Sequence, residues 1–445
     1  MLGIALLLIS IILYINGKKK YSLLIFLSFC SRGFVLLTDN IIGFKNQDAA
    51  LLYFVIIFLY SYFNEKHIKY VHNINIEKWL KIFLVFMLFN VLFSMLFYQL
   101  DIIQIIQGGR RYFIIFAFFF IRKIKSSDLE WILKKIIYIT LITSVLYIIQ
   151  CQTGLPTLPD SEQNYSNDSV DGTFRYYNVP PFLDISLFLL IFYSKYFKGW
   201  KNIIAIAIMF VALLCTQGRT QIAGTIMVIL IGLYLNGSYK KLVKYGLLGL
   251  IAITPFMPLL MERFESDDKS TGGDLQAIID GDFMNVNGQF AGSMTFRFAL
   301  VYERMAYLAD RSVGEQIFGM GLLSDQQKEL VRRMYHFNIG LKDRETGEVV
   351  QLSTPDIAYG NLICRLGFVG MAIYLVIWGI MLVQAYKNRK VDIIVFCLFL
   401  YLFNYIFGSF SGATISYTEN IVLPMMLIVY MDKMKLLNKR CVYEK

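Results

Sequence analysis

About 13 apolar runs, each closed by charges or a turn, take up most of the chain and leave few folds open to it. They are Met1–Ile15, Tyr21–Leu37, Ala49–Phe63, Trp79–Tyr98, Tyr112–Ile121 with its flanks, Trp131–Ile149, Phe182–Tyr196, Ile203–Cys215, Ile222–Leu235, Leu247–Leu260, Leu366–Ala385, Ile393–Phe410 and Ile421–Met431. A bilayer crossing takes about 20 apolar residues, so these runs predict an all-α polytopic membrane protein of about 12–13 transmembrane helices. Composition agrees: 57% of the 445 residues are hydrophobic and 17% charged, against about 45–50% and about 25% in soluble domains. A soluble multidomain enzyme, a disordered chain, a collagen and a disulfide-rich secreted module are excluded. The first run has no basic residues before it and Lys18-Lys19-Lys20 after it, which predicts a span rather than a signal peptide.

The net charge of +11 would suggest nucleic acid in a soluble protein. Here it follows from loop asymmetry, and no nucleic-acid partner is expected. Alternate connections carry Lys18–Lys20, Lys66/Lys69/Lys78, Arg122/Lys123/Lys125, Lys195/Lys198/Lys201, Lys240/Lys241/Lys244 and Lys387/Arg389/Lys390, with Lys433, Lys435, Lys439 and Arg440 near the C-terminus. The positive-inside rule puts these in the cytoplasm, the N-terminus outside and the C-terminus inside. Three units result: a bundle over 1–261 with an outer loop at 150–180, a large and partly helical extracytoplasmic loop over 262–365, and C-terminal helices with a basic tail over 366–445. A loop as long as 262–365 exceeds what a connection needs, so chemistry is expected on the outer side.

Arginine is depleted on that side by the same rule, yet Arg110, Arg111, Arg175, Arg219 and Arg297 fall there. Arg219 sits in Thr216-Gln217-Gly218-Arg219-Thr220, a connection just long enough to reverse the chain. A guanidinium held at that height suits bidentate binding of phosphate; snorkelling to lipid headgroups is the alternative. Arg32 lies roughly 18 Å along the second run from Lys20, to meet a lipid-linked phosphate or to pair with Asp39, Asp101 or Asp184. A helix is predicted over Ser293–Asp310, with Arg297, Arg304 and Arg311 as a basic stripe and Phe298, Val301, Met305 and Leu308 as an apolar one. Its arginines face phosphates at the interface, or it is an ordinary cover helix.

Asp280-Gly281-Asp282 has the form of a metal-binding DxD but equally of a turn. His336 is the outer histidine, so general-base work falls more readily to a carboxylate. The six cysteines form no CxxC pair and no zinc-spaced cluster with histidine. Cys151 and Cys364 are the outer pair that could join, and free thiols are the expected state. No cofactor and no metal are expected.

Three segments carry a family resemblance. Thr216–Thr220 ahead of a span is similar to a Ser-x-Ser-Arg-Gly/Thr turn. Thr295-Phe296-Arg297, running through Ala306 to Ile317-Phe318-Gly319-Met320-Gly321, is similar to an Arg-led helix ending in Phe-Gly-x-Gly. Asp356 to Gly370, with Tyr359, Asn361, Arg365 and Gly367, resembles the segment that leads from a large loop into the next span. With their order and the loop length, the chain resembles the O-antigen polymerase and O-antigen ligase superfamily over nearly its whole length. Asp171–Arg175 echoes a further Arg/Gly stretch.

The resemblance implies a lipid-linked oligosaccharide polymerase, a glycosyltransferase acting on undecaprenyl-pyrophosphate-linked repeat units outside the inner membrane. The bilayer and a chain-length regulator are the implied partners. Arg219 and Arg297 would stabilise the pyrophosphate leaving group, with Arg110, Arg111, Arg175 and Arg304 binding substrate. Asp356 would be the catalytic base, and Tyr359, Tyr302 and Tyr335 would stack on sugars or pack. Ligases of the superfamily carry histidine where this chain has Asp356, which favours the polymerase over a ligase-type transferase. A lipid-linked oligosaccharide flippase is the rival of another class, though no internal repeat is visible.

Overall fold

The computed structural model describes residues 2–38, 40–41, 44–65, 74–161, 165–170, 173–193, 195–237, 293–324, 327–340, 348–352 and 357–443. The expected span Leu247–Leu260, the Asp280-Gly281-Asp282 turn, Asp39, Asp171, Asp356 and much of the large loop lie outside the described residues.

The described chain is predominantly helical. Helices α1 (Leu2–Ile15) and α2 (Lys19–Cys30), a short antiparallel pair β1 (Asn40–Ile41) and β2 (Phe44–Lys45), and helices α3 (Asn46–Asn64) and α4 (Ile74–Tyr98) lead to α5 (Ile102–Phe113), which runs through a 3₁₀ turn (Ile114–Ala117) into α6 (Phe118–Ile121). After α7 (Ser126–Thr153) comes a hairpin of β3 (Tyr165–Val170) and β4 (Thr173–Tyr176). Helices α8 (Leu183–Phe192), α9 (Trp200–Cys215) and α10 (Arg219–Leu235) follow. The large loop contributes α11 (Ser293–Ala309), α12 (Val313–Phe318) and α13 (Lys328–Met334). The chain closes with α14 (Ala358–Lys387), α15 (Ile393–Gly408) and α16 (Thr418–Tyr443).

Among the described residues, four helical stretches are long and apolar enough to cross a bilayer: Asn75–Tyr98, Ile102–Ile121, Ser126–Thr153 and Ala358–Lys387. Others, such as α8 and α15, are apolar but shorter. Ten residues of α8 rise only about 15 Å. Its residues from Leu183 to Ile191 are nevertheless all buried, as are Ile394–Leu402 of α15 and Ile421–Met431 of α16, so these helices form the interior. The lipid-compatible surface is elsewhere. Val85, Leu88, Phe89, Leu92 and Leu96 of α4 and Ile4, Leu8 and Ile12 of α1 are exposed, apolar faces that water would not tolerate in this number.

The basic connections converge on one end of the bundle. Lys19 and Lys123 reach Glu65 at 2.7 and 3.4 Å, Arg122 and Lys81 reach Glu77 at 3.0 and 2.8 Å, and Lys195 reaches Glu130 at 3.1 Å. Lys433 donates to the Ile124 carbonyl there. Residues from connections far apart in sequence thus share one face, as the alternating charge pattern requires.

The second run departs from expectation. It does not continue as helix to Leu37; α2 stops at Cys30, and Arg32, Gly33, Phe34 and Val35 all take left-handed φ between 51° and 65°. Such values cost roughly 1–2 kcal/mol for each residue with a Cβ, and a β-branched valine adopts them rarely. Arg32 lies over the Tyr417 ring at 5.9 Å. It does not pair with Asp184, whose carboxylate accepts from Thr225 at 3.1 Å and from the Asn404 amide at 3.2 Å.

Candidate active site

The end opposite the basic connections is built around a break in α14. Gly367 has φ 65° and ψ −174°, so the helix divides into an outer piece, Ala358–Leu366, and a long inner one. A break leaves carbonyls without helical donors, and buried carbonyls need replacements. Asn90 of α4 supplies them: its Nδ2 donates to the Arg365 carbonyl at 3.0 Å and to the Phe318 carbonyl at 2.9 Å. The Phe318–Gly321 turn fills the break, with the Met320 amide donating to the Cys364 carbonyl at 2.7 Å. Both glycines are required sterically. A Cβ on Gly319 would lie 2.7 Å from the Gly367 amide, and one on Gly367 would lie 2.5 Å from the Ile317 carbonyl.

The same turn rests on α5. A Cβ on Gly108 would meet the Leu322 carbonyl at 2.2 Å, so glycine lets the two backbones touch. Ser94 Oγ accepts from the Leu322 amide at 3.2 Å, and the Tyr335 hydroxyl donates to the Met320 carbonyl at 2.6 Å. Arg365, buried, donates from Nε to the Leu323 carbonyl at 3.0 Å and from Nη1 to Asn361 at 3.3 Å. The buried Tyr112 hydroxyl lies beside the Arg365 and Arg111 guanidinium groups. Two of the three segments singled out in the sequence, Phe318–Gly321 and Tyr359–Gly367, are therefore in direct contact.

The arginines divide by environment. Arg111, Arg175, Arg219 and Arg297 are half-buried, Arg111 at the middle of the Ile102–Ile121 stretch. Arg175, on β4, lies 5.1 Å from the Tyr177 ring, and its Nε is buried with no hydrogen-bond partner among the described residues. Arg219 opens α10, after a turn in which Gln217 is left-handed (φ 51°) and the Gly218 amide donates to Thr216 Oγ1 at 3.3 Å. A cation at a helix N-terminus faces the positive end of the dipole, an arrangement that an anion would relieve. Arg297 lies in the first turns of α11, 3.6 Å from the Met294 sulfur. Helix α10 packs on α15 and α11 on α14, so the α14–α15 pair links the two arginines.

Two expected substrate ligands have other partners. Arg110 is buried and ion-paired with Asp48 of α3. Arg304 does not join a basic outer stripe. It is fully buried and donates to the carbonyls of Leu300 (3.0 Å), Ile339 (3.1 Å) and Gln351 (3.1 Å), over the Phe337 ring at 4.4 Å. The apolar stripe is shifted accordingly: Ala299, Leu300 and Leu308 face inward with Arg304, while Phe298, Tyr302 and Met305 are exposed. The three carbonyls offer a guanidinium more than the surface does, and that rotates the helix. Of the tyrosines, Tyr302 is exposed, Tyr359 packs against Phe410 with ring centroids 5.2 Å apart, and Tyr335 is buried. Among the described residues, no cluster of three or more His, Cys, Asp or Glu could hold a metal ion.

Glu315 ties α12 to the bundle. It accepts from Tyr98 at 2.6 Å and from the Ser312 hydroxyl and amide at 2.7 and 3.0 Å. Burial pushes its carboxyl upward, but the bonds from Tyr98 and Ser312 outweigh burial and hold it below the usual glutamate value. A carboxylate whose folded value is depressed stabilises fully above its unfolded value of about 4.3 and loses that contribution as pH falls through the folded value. The thermal midpoint in detergent is expected to drop on acidification below about pH 4.3, and Glu315→Gln to flatten that limb. Identical acid limbs for both proteins would refute the assignment.

Sequence reasoning missed Asn90, Asn404 and the Asp184–Thr225–Asn404 cluster joining α8, α10 and α15. The signal was present, since a buried amide or carboxylate inside an apolar run marks a packing or functional constraint. No family model matches the chain, and no curated protein does.

Proposed function

We propose that the protein is a metal-independent glycosyltransferase that polymerises lipid-linked oligosaccharides at the extracytoplasmic face of a bacterial inner membrane. The substrates are repeat units on undecaprenyl pyrophosphate. A hydroxyl of one unit attacks the anomeric carbon of the growing chain, the bond from that carbon to pyrophosphate oxygen breaks, and undecaprenyl pyrophosphate leaves. The observation that carries this reading is the half-buried pair Arg175 and Arg219 on adjoining segments, where Gln217 Nε2 donates to the Thr173 carbonyl at 3.3 Å, together with the interlocked Phe318–Gly321 and Tyr359–Gly367 segments. Fixed guanidinium groups aimed at a departing diphosphate supply the electrostatic stabilisation this reaction needs.

In this reading Arg219 and Arg297 stabilise the leaving group, and Arg111 and Arg175 bind substrate. Arg110 and Arg304 hold the frame that positions them. Asp356 is the base for the acceptor hydroxyl, and Tyr302, exposed on α11, stacks on sugar. Purified protein given lipid-linked repeat units is expected to release undecaprenyl pyrophosphate and form new glycosidic bonds. Transfer of finished glycan to a different acceptor would identify a ligase instead. Movement of the lipid between leaflets without new bonds would identify a flippase.

A further inference from the structure

Cys151 and Cys215 close the outer ends of two packed helices. Cys151 stands two residues before the end of α7, and Cys215 is the last residue of α9. Both are buried where the two helices pack, and the Cys151 sulfur lies 4.0 Å from the Cys215 carbonyl oxygen. Strand β4 roofs the site: the Tyr147 hydroxyl donates to the Tyr176 carbonyl and the Tyr176 hydroxyl to the Gly154 carbonyl, each at 2.8 Å. Cys364, which the sequence offers as the one outer cysteine able to join Cys151 though free thiols are expected, belongs to the junction at the α14 break, where its carbonyl accepts from the Met320 amide.

We propose that Cys151 and Cys215 are joined by a disulfide in the mature protein. The proposal rests on the reading that this end of the bundle faces the extracytoplasmic side, where such bonds form and persist. A sulfur this near the Cys215 backbone puts the second thiol within the short span that disulfide geometry demands. Two S–H bonds break and one S–S bond forms. The electron pair passes by thiol–disulfide exchange to the disulfide of an extracytoplasmic dithiol oxidase, which takes up both protons as its own two thiols. Because the sulfurs are buried in the finished fold, oxidation occurs while α7 and α9 come together and before the hairpin covers them. Burial then shields the bond from reductants. The bond fixes the root of the turn carrying Arg219, four residues after Cys215, beneath the strand carrying Arg175.

Counting free thiols in the full-length protein tests this. Protein taken from acid-quenched membranes and denatured with a polyethylene-glycol maleimide is expected to carry four adducts from its six cysteines, and six after reduction. Cys151→Ser is expected to carry five with or without reductant, and Cys364→Ser three and then five. Six adducts on the unreduced wild type would overturn the proposal, as would three on unreduced Cys151→Ser. Sidedness is read separately by Tyr177→Cys, at an exposed position, in a Cys151→Ser/Cys215→Ser background on intact cells. Labelling by an impermeant maleimide alongside six wild-type adducts would reject the disulfide alone. An unlabelled position would reject the orientation and the disulfide together.

Discussion

Alanine at position 219 is expected to abolish polymer laddering while leaving single repeat units on the cell surface. Removing one preorganised donor from a developing oxyanion costs about 10²–10³-fold in rate, enough to reduce a ladder to its first rung. Arg219 is half-buried in the first turn of α10, and a cation there gains nothing from the helix dipole. The thermal midpoint of the variant should match that of wild type. Arg219→Lys keeps the charge but not the planar two-pronged geometry, and partial activity is expected from it. Arg297→Ala should behave as Arg219→Ala does. Full-length glycan from both alanine variants would remove the pyrophosphate role of these groups.

Arg304→Ala is expected to fail in a different manner, by loss of the folded outer layer. The guanidinium joins three backbone carbonyls from α11, from Ile339 and from Gln351. Truncation leaves at least the last two without that donor in a dry site, at about 1–3 kcal/mol each, and also opens the space over Phe337. Several kcal/mol is a large share of any protein's net stability. Low yield of monodisperse protein and early protease cleavage between α11 and α14 are the expected readouts. A stable but inactive Arg304→Ala protein would mean that the side chain serves substrate after all. The contrast between positions 219 and 304 separates chemistry from scaffold within one family of variants.

The helical class was legible because a bilayer demands apolar length, and that is written residue by residue in runs such as Trp79–Tyr98 and Leu366–Ala385. The segregation of charge was legible for the same reason, and the described ion pairs bring Lys19, Lys123, Arg122 and Lys195 to one end. Helix interruptions were harder to read. Nothing in Tyr21–Leu37 announces four left-handed residues, since Gly33 alone is a residue that adopts that conformation freely, and tertiary packing holds Phe34 and Val35 there.

The roles of the arginines were the least legible. A spacing of seven puts Arg297, Arg304 and Arg311 on one helical face but does not tell which side that face meets. Arg304 went inward because backbone carbonyls awaited it, and those come from residues about 35 and 47 positions away. Likewise Arg110 and Arg111 are neighbours with opposite fates, one paired with Asp48 and the other beside Tyr112. That Arg110 meets Asp48 depends on the neighbouring helix α3, and sequence order does not encode that pairing.

The single amide at Asn90 has a wider reach than its size suggests. It sits eight residues below the outer end of α4, roughly 12 Å at helical rise, yet it grips both the loop turn at Phe318 and the severed end of α14. The roof of the molecule is therefore hung from a hook inside the bundle instead of being laid across its rim. Its height is fixed from below, so the level at which the loop turn sits is decided by a residue wholly buried within the bundle.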